Sequence, residues 1–139
     1  MKILVTGAAG FIGAAVSQYL INRGDQVVGI DNINDYYDVN LKHARLDEIK
    51  SSPAAELFSF VEMGVEEREK MAALFEEHKF DRVVHLAAQA GVRHSITNPM
   101  DYVDSNLVGF MNILELSKEY SVQGFIYASS SSVYGGNTK

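Results

Sequence analysis

The sequence predicts an α/β fold: a doubly wound parallel sheet in the strand order 3-2-1-4-5, with helices on both faces. Three observations predict it. Short runs rich in β-branched residues alternate with longer segments whose apolar residues recur at helical spacing. A glycine cluster, Gly7-Ala8-Ala9-Gly10-Phe11-Ile12-Gly13, joins the first such run to the first helical segment. With 139 residues, 47% hydrophobic content and no cysteine, the chain is one domain held by a core, not by disulfides. Strands separated by helices pair in parallel, because each strand–helix–strand unit closes as a right-handed crossover.

Taken in order, Lys2–Thr6 is a short apolar run suited to a buried strand. Phe11–Asn22 carries Phe11, Ile12, Ala15, Val16, Tyr19 and Leu20 at helical spacing, and Gly24 lies just past its end. Gln26–Ile30 is the second strand, followed by an Asn- and Asp-rich loop, Asp31–Asp38. Val39–Lys50 reads as a helix stopped by Ser51-Ser52-Pro53, since the residue before a proline avoids the helical region. Leu57–Met63 is the third strand. Glu66–His78 is a helix with Met71, Leu74 and Phe75 on one face. Arg82–Leu86 is the fourth strand and Gln89–Asn98 a loop. Met100–Tyr120 reads as one long helix with Pro99 near its start. Core packing accounts for most of its stripe of Met100, Val103, Leu107, Phe110, Met111 and Leu114. Phe125–Ala128 is the fifth strand; nothing follows to cover its far side, so an exposed sheet edge is expected. There is no repeat and no low-complexity linker.

A formal charge of −6, with Lys and Arg scattered, excludes a nucleic-acid-binding surface. The histidines at 43, 78, 85 and 94 have no metal-ligand spacing, so no metal is expected and each reads as a surface or packed histidine. Met1-Lys2 and the apolar residues after it faintly mimic a signal peptide, but Gly7, Gly10 and Gly13 break the run. No segment reaches membrane-spanning length, and the expectation is a soluble cytoplasmic protein with no membrane partner.

Two segments carry chemistry. In the glycine cluster, Gly7 permits a tight turn, Gly10 lets a pyrophosphate approach the backbone, and Gly13 lets the helix pack on the strand. The helix N-terminus then faces the phosphate charge. Asp31 ends the second strand, 18 residues after Gly13. A carboxylate there accepts from the ribose hydroxyls of an adenosine and repels a 2′-phosphate. No Lys or Arg follows it directly, and Lys42 and Arg45 lie on the next helix, so NAD is favoured over NADP; Asp31 also reads as a plain turn residue. After the fourth strand, the small residues of His85-Leu86-Ala87-Ala88-Gln89-Ala90-Gly91 leave room for phosphate and ribose, although tight packing explains Ala87 and Ala88 almost as well. The fifth strand runs into Ser129-Ser130-Ser131-Ser132, which puts hydroxyls at a strand's carboxyl end, where ligands bind in open α/β sheets. A serine hydroxyl needs a partner to take its proton.

The glycine spacing, Asp31, His85-Leu86-Ala87-Ala88, Asn106-Leu107-Val108-Gly109 and Ser129–Gly135 together resemble the extended short-chain dehydrogenase/reductases that act on nucleotide sugars. Asp31–Tyr37, Gln89–Ser95 and Asn98–Asn106 resemble, more narrowly, the UDP-glucuronate 4-epimerases. The resemblance implies a Rossmann fold and an NAD site. It assigns Gly7, Gly10, Phe11, Ile12, Gly13, Asp31, Asn32, Val65, Leu86, Ala87, Ala88, Gln89, Asn106 and Ser129 to that site. In that family a tyrosine takes the proton of the sugar's 4-hydroxyl while hydride passes to NAD, and the 4-keto sugar turns over and takes the hydride back. Ser130, four residues before Tyr134, matches the serine that hydrogen-bonds the reacting oxygen. Ser131 and Ser132 match positions that face the sugar. Dehydratase relatives carry Asp-Glu there and decarboxylase relatives a Glu, so two hydroxyls favour a 4-epimerase acting on a UDP-uronic acid. Arg93 is a candidate contact to the sugar carboxylate or a phosphate, or equally a solvated arginine; Asn106 is a hydrogen-bonding group near the site or a structural amide. The resemblance also implies a homodimer for the parent, in which the Met100–Tyr120 helix packs with the helix that carries the tyrosine; that partner helix is absent from this chain, whose own self-association is left open.

Two departures from the family stand out. Where it carries an Asp that contacts adenine, this chain has Gly64, which leaves the backbone of Val65 for that contact. The family's Tyr-x-x-x-Lys is missing: of the tyrosines at 19, 36, 37, 102, 120, 127 and 134, none has Lys four residues on, and Tyr134 has Thr138 there. The chain is therefore expected to be the cofactor-binding part, cut before the last strands and the substrate domain and inactive alone. The other readings are a stand-alone NAD-binding or regulatory module, and a truncated product that folds only by pairing its exposed fifth strand with another copy; the alternative enzyme is a nucleotide-sugar dehydratase or another 4-epimerase.

Overall fold

The structure, a computed structural model, describes residues 1–136; residues 137–139 and the side chains of Ser131 and Ser132 lie outside the described residues. Among the described residues, five parallel strands form one sheet in the order β3-β2-β1-β4-β5. They are β1 (Lys2–Thr6), β2 (Gln26–Asp31), β3 (Phe58–Glu62), β4 (Arg82–His85) and β5 (Gly124–Tyr127). The central strand β1 pairs on both sides, Val5 with Gly29 and with Val84, so its residues are wholly buried after Lys2. Side chains alternate across a strand. Leu4 therefore joins Val28, Ile30, Met63, Phe75, Ile113 and Leu116 on one face of the sheet. Ile3 and Val5 join Ala14, Leu20, Ile21, Val27 and Ile49 on the other. Each such side chain contributes about 1.5–3 kcal/mol by leaving water.

Helices α1 (Phe11–Asn22) and α2 (Val39–Lys50) cover the second face, and α3 (Arg68–His78) and α6 (Phe110–Glu119) the first. The Asp38 carboxylate caps α2 by accepting from Asn40 N–H (2.9 Å). Lys79, in the left-handed conformation, ends α3. In the α3 layer, Phe75 meets Phe80 edge-on at 5.2 Å between ring centroids.

Several elements differ from the sequence expectation. The expected loop Gln89–Asn98 contains a short helix, α4 (Val92–Thr97). The expected single helix Met100–Tyr120 is α5 (Pro99–Tyr102), a π-helical stretch Val103–Gly109, and α6. That stretch shifts the helical phase. Consequently Met100, Leu107 and Met111 are exposed, and the face turned to the sheet is Gly109, Asn112, Ile113 and Leu116. The core reading of the longer stripe is thus overturned for most of its residues. Helix α1 is rotated in the same sense: Phe11, Ile12, Ala15 and Tyr19 are exposed, and Gly13, Ala14, Ser17, Leu20 and Ile21 are buried. Small residues win there because α1 must lie close to the glycine turn. The bounds of β2, β3, β4, β5 and α3 differ by one or two residues from those expected.

Candidate functional site

The carboxyl ends of β1, β2 and β4 open onto one trough, built from three adjoining cavities. Gly7 makes the turn out of β1 with φ +70°, and a Cβ on it would come within 2.9 Å of Ala87 N. A Cβ on Gly13 would run into the Gly7 carbonyl. Any larger residue at either place pushes the turn, the helix and the β4 loop apart. Helix α1 has no side-chain cap, and the Phe11, Ile12 and Gly13 amides donate to no acceptor among the described residues. Three unpaired N–H groups at a helix N-terminus, with glycines below them, fit the two phosphates of a dinucleotide.

Asp31 is fixed from three sides. Ala9 N–H donates to Oδ2 (3.2 Å), Ile33 N–H to Oδ1 (2.9 Å), and the Lys42 ammonium stands 3.5 Å from Oδ1. Lys42 is 4% exposed, a position a lysine takes only with partners. It donates to Asn34 Oδ1 (2.7 Å), and Asn34 Nδ2 reaches Gln89 Oε1 (3.4 Å). Arg45 donates to Tyr37 Oη (2.9 Å) and to the Ala9 carbonyl (3.3 Å). Lys42 and Arg45 of α2 thus fold back to the trough, which distance along the chain had concealed. Asp31 has a buried counter-ion, so the sequence argument that its bare charge repels a 2′-phosphate is weakened. The signal was present: Lys42 stands with Leu46 and Ile49 on the buried face of α2, where an apolar residue is expected.

The β4 side is held by Thr6. Its hydroxyl oxygen accepts from Leu86 N–H (3.1 Å) and Ala87 N–H (3.0 Å). The hydroxyl hydrogen is then directed to His85 Nδ1 at 2.7 Å. His85 is packed between the rings of Phe110 and Phe125, and burial lowers its pKa to about 4. It is neutral, with the proton on Nε2. Asn106 clamps the next turn of chain: its Oδ1 accepts from Gln89 N–H (2.8 Å) and its Nδ2 donates to the Gln89 carbonyl (2.9 Å). It does so from within the π-helical stretch.

The residues singled out from sequence fall along this trough. Asp31, Asn32 and Val65 line one end together with Gly7 and Gly10. Phe11, Ile12 and Gly13 line the middle. Leu86, Ala87, Ala88 and Gln89 border both ends. Asn106, Ser129 and Ser130 line the other end beside His85 and Phe110. Arg93 lies on the exposed face of α4 and lines none of these cavities. The backbone of Ser131–Tyr134 forms a single 3₁₀ turn, and the candidate side chains of Ser131 and Ser132 lie outside the described residues. Sequence reasoning missed Asn34, Tyr37, Lys42, Arg45, Thr6 and His85 as parts of the site.

A family model described as GDP-mannose 4,6 dehydratase matches residues 4–139. Protein CapI of Staphylococcus aureus is 53% identical over 138 residues, which cover 99% of this chain and 40% of that protein. A UDP-glucuronate 4-epimerase of Thermodesulfobacterium geofontis is 47% identical over 135 residues, 97% of this chain and 41% of that protein. Among solved structures, a mutant UDP-glucuronic acid 4-epimerase of Bacillus cereus superposes with a TM-score of 0.84 at 34% identity, over 100% of this chain and 43% of that one. That structure holds NAD and UDP-4-deoxy-4-fluoro-glucuronic acid. The chain thus spans about two fifths of the length of the curated relatives it matches. No helix among the described residues is long and apolar enough to cross a membrane.

Proposed function

The chain belongs to the GDP-mannose 4,6 dehydratase family, and from that premise we propose that it is the NAD-binding part of a UDP-glucuronate 4-epimerase. The observation that carries the reading is the continuous trough. It runs from Asp31, past the three unpaired amides of α1, to Ser130. These residues would hold NAD: the amides of Phe11, Ile12 and Gly13 its phosphates, Asp31 its adenosine ribose, and Ala128 and Ser129 its nicotinamide end. NAD, when bound, supplies the hydride acceptor and donor. Ser130 hydrogen-bonds the sugar's 4-oxygen, and neutral His85 with Thr6 keeps the β4 turn in place beneath it.

The family model carries a dehydratase's name, but the residues favour epimerisation. Elimination of water needs an acid and a base beside the sugar. Ser131 and Ser132 offer hydroxyls where dehydratase relatives carry Asp-Glu. Reversible hydride transfer at C4 requires no further carboxylate. The similarity to UDP-glucuronate 4-epimerases supports the uronic-acid substrate. The proton of the 4-hydroxyl needs a base, and no tyrosine of these 139 residues has Lys four positions on. The 139-residue chain is therefore expected to bind NAD without turning over a sugar; the activity is proposed for a longer protein of the relatives' full length. The exposed apolar side chains of Leu107, Val108, Met111 and Leu114 support a homodimer of that longer protein.

Two measurements test this. Calorimetry with NAD is expected to show one site in the 139-residue chain, lost in Gly13→Ala. UDP-glucuronate is expected to remain unchanged with the chain alone and to equilibrate with UDP-galacturonate with the longer protein. Absence of NAD binding to a folded chain, or loss of water from the sugar instead of inversion, overturns the reading.

A further inference from the structure

The proposed function leaves one carboxylate near the trough unused, that of Glu66. Its side chain folds back over Gly64, so that a Cβ built on Gly64 would run into both carboxylate oxygens. The carboxylate has no hydrogen-bond or ion-pair partner among the described residues. The backbone beneath it is fixed. Gly64 N–H donates to Glu67 Oε1 (2.9 Å), and Asn112 Nδ2 donates to the carbonyls of Val65 (3.1 Å) and Glu66 (3.2 Å). The fold thus holds a half-buried, unpaired anion in the space that a side chain at position 64 would fill. Such an acceptor is open to a donor supplied by a ligand.

Glu66 itself lines none of the three cavities; the place of Gly64, which its carboxylate covers, says which donor. Gly64 lines the cavity with Ile30, Asp31, Met63 and Val65, beyond Asp31 as seen from the glycine turn. With phosphates on the α1 amides and the ribose on Asp31, the group that extends past Asp31 is the base; this step rests on the proposed function. We propose that Glu66 reads that base, its carboxylate accepting from the exocyclic 6-amino group of adenine. A purine with a 6-oxo group sets lone pairs against the carboxylate and is rejected. The backbone of Val65 alone offers no comparable charge-based discrimination. A hydrogen bond to a charged acceptor corresponds to roughly tenfold or more in affinity.

The test titrates the 139-residue chain with NAD and with its analogue in which hypoxanthine replaces adenine. The wild-type chain is expected to bind NAD about tenfold or more tightly than the analogue. Glu66→Ala is expected to bring the ratio close to one, by weakening NAD and not the analogue. Adding Gly64→Asp to that variant is expected to restore the preference, because a carboxylate then reaches the vacated space from the neighbouring position. Gly64→Ala, whose methyl displaces the Glu66 carboxylate, is expected to lower the ratio independently, with thermal melts confirming that each variant is folded. A wild-type ratio retained in Glu66→Ala overturns the inference. So does equal binding of both dinucleotides by the wild-type chain, which leaves the cofactor reading intact. Binding of neither by the folded wild-type chain overturns the proposed function, and this inference with it.

Discussion

Replacing Thr6 by valine removes one hydroxyl at almost constant shape and volume, from a residue that is wholly buried. Three groups depend on that hydroxyl. Ala87 N–H loses its acceptor at 3.0 Å and His85 Nδ1 its donor at 2.7 Å. Leu86 N–H loses one acceptor at 3.1 Å but keeps the Thr6 carbonyl at 3.3 Å. Two polar groups are left unsatisfied and a third is weakened. At roughly 1–2 kcal/mol for each orphaned group, Thr6→Val is expected to cost about 3 kcal/mol. Thr6→Ser keeps the hydroxyl, gives up only a methyl group and is expected to cost about 1 kcal/mol. Urea unfolding followed by circular dichroism reads both. With a slope of about 2 kcal/mol/M, the valine variant's midpoint falls by about 1.5 M at unchanged slope. A valine variant within about 0.5 kcal/mol of the wild type would refute the claim that Thr6 anchors the β4 turn.

Three further outcomes are expected. His85 has a folded pKa of about 4, below its unfolded value of about 6.5. The unfolded chain therefore binds the extra proton between these values, so stability falls as pH drops from about 6.5 to 4, by up to about 3 kcal/mol. Urea titrations at pH 7 and 4.5 check this, and His85→Gln should show a shallower dependence. Lys42→Met leaves Asp31 without its buried counter-ion and is expected to cost about 3 kcal/mol. The double variant with Asp31→Asn should recover most of that loss in a thermodynamic cycle. Asn106→Ala removes both clamps on Gln89 and is expected to cost about 2 kcal/mol. Amide hydrogen exchange should show Gln89 N–H losing protection while the strand β1 amides keep theirs.

The strands and the glycine turn were legible because each is dictated locally: β-branched runs, a glycine where φ is positive, and a carboxylate at the end of β2. What the sequence concealed depends on three-dimensional proximity. Nothing in the run from Asp31 to Lys42 announces that the lysine turns back to the carboxylate, because that contact depends on the angle at which α2 packs. The face of α1 was misjudged because its buried side is chosen by closeness to Gly7, which selects Gly13, Ala14 and Ser17 over the larger Phe11 and Tyr19. Asn106 was picked out, but its reciprocal bonds to Gln89 required knowing that the helix around it departs from α geometry.

That departure has a consequence for how the chain tolerates change in length. In an α-helix each residue advances the side-chain direction by about 100°, at 3.6 residues per turn. The wider turn at Val103–Gly109 takes up surplus chain without lengthening the helix, so Asn106 faces Gln89 while Ile113 and Leu116 still face the sheet. A one-residue deletion here would not open a gap: it would tighten the turn to ordinary α pitch, and the helical segments on either side would keep their facing. The core beyond Phe110 would be spared, and only residues inside the tightened turn, Asn106 among them, would be re-aimed. Length variation in this short stretch is thus a gear between two meshing surfaces, one that packs the domain and one that shapes the trough, and it can change the second while leaving the first engaged.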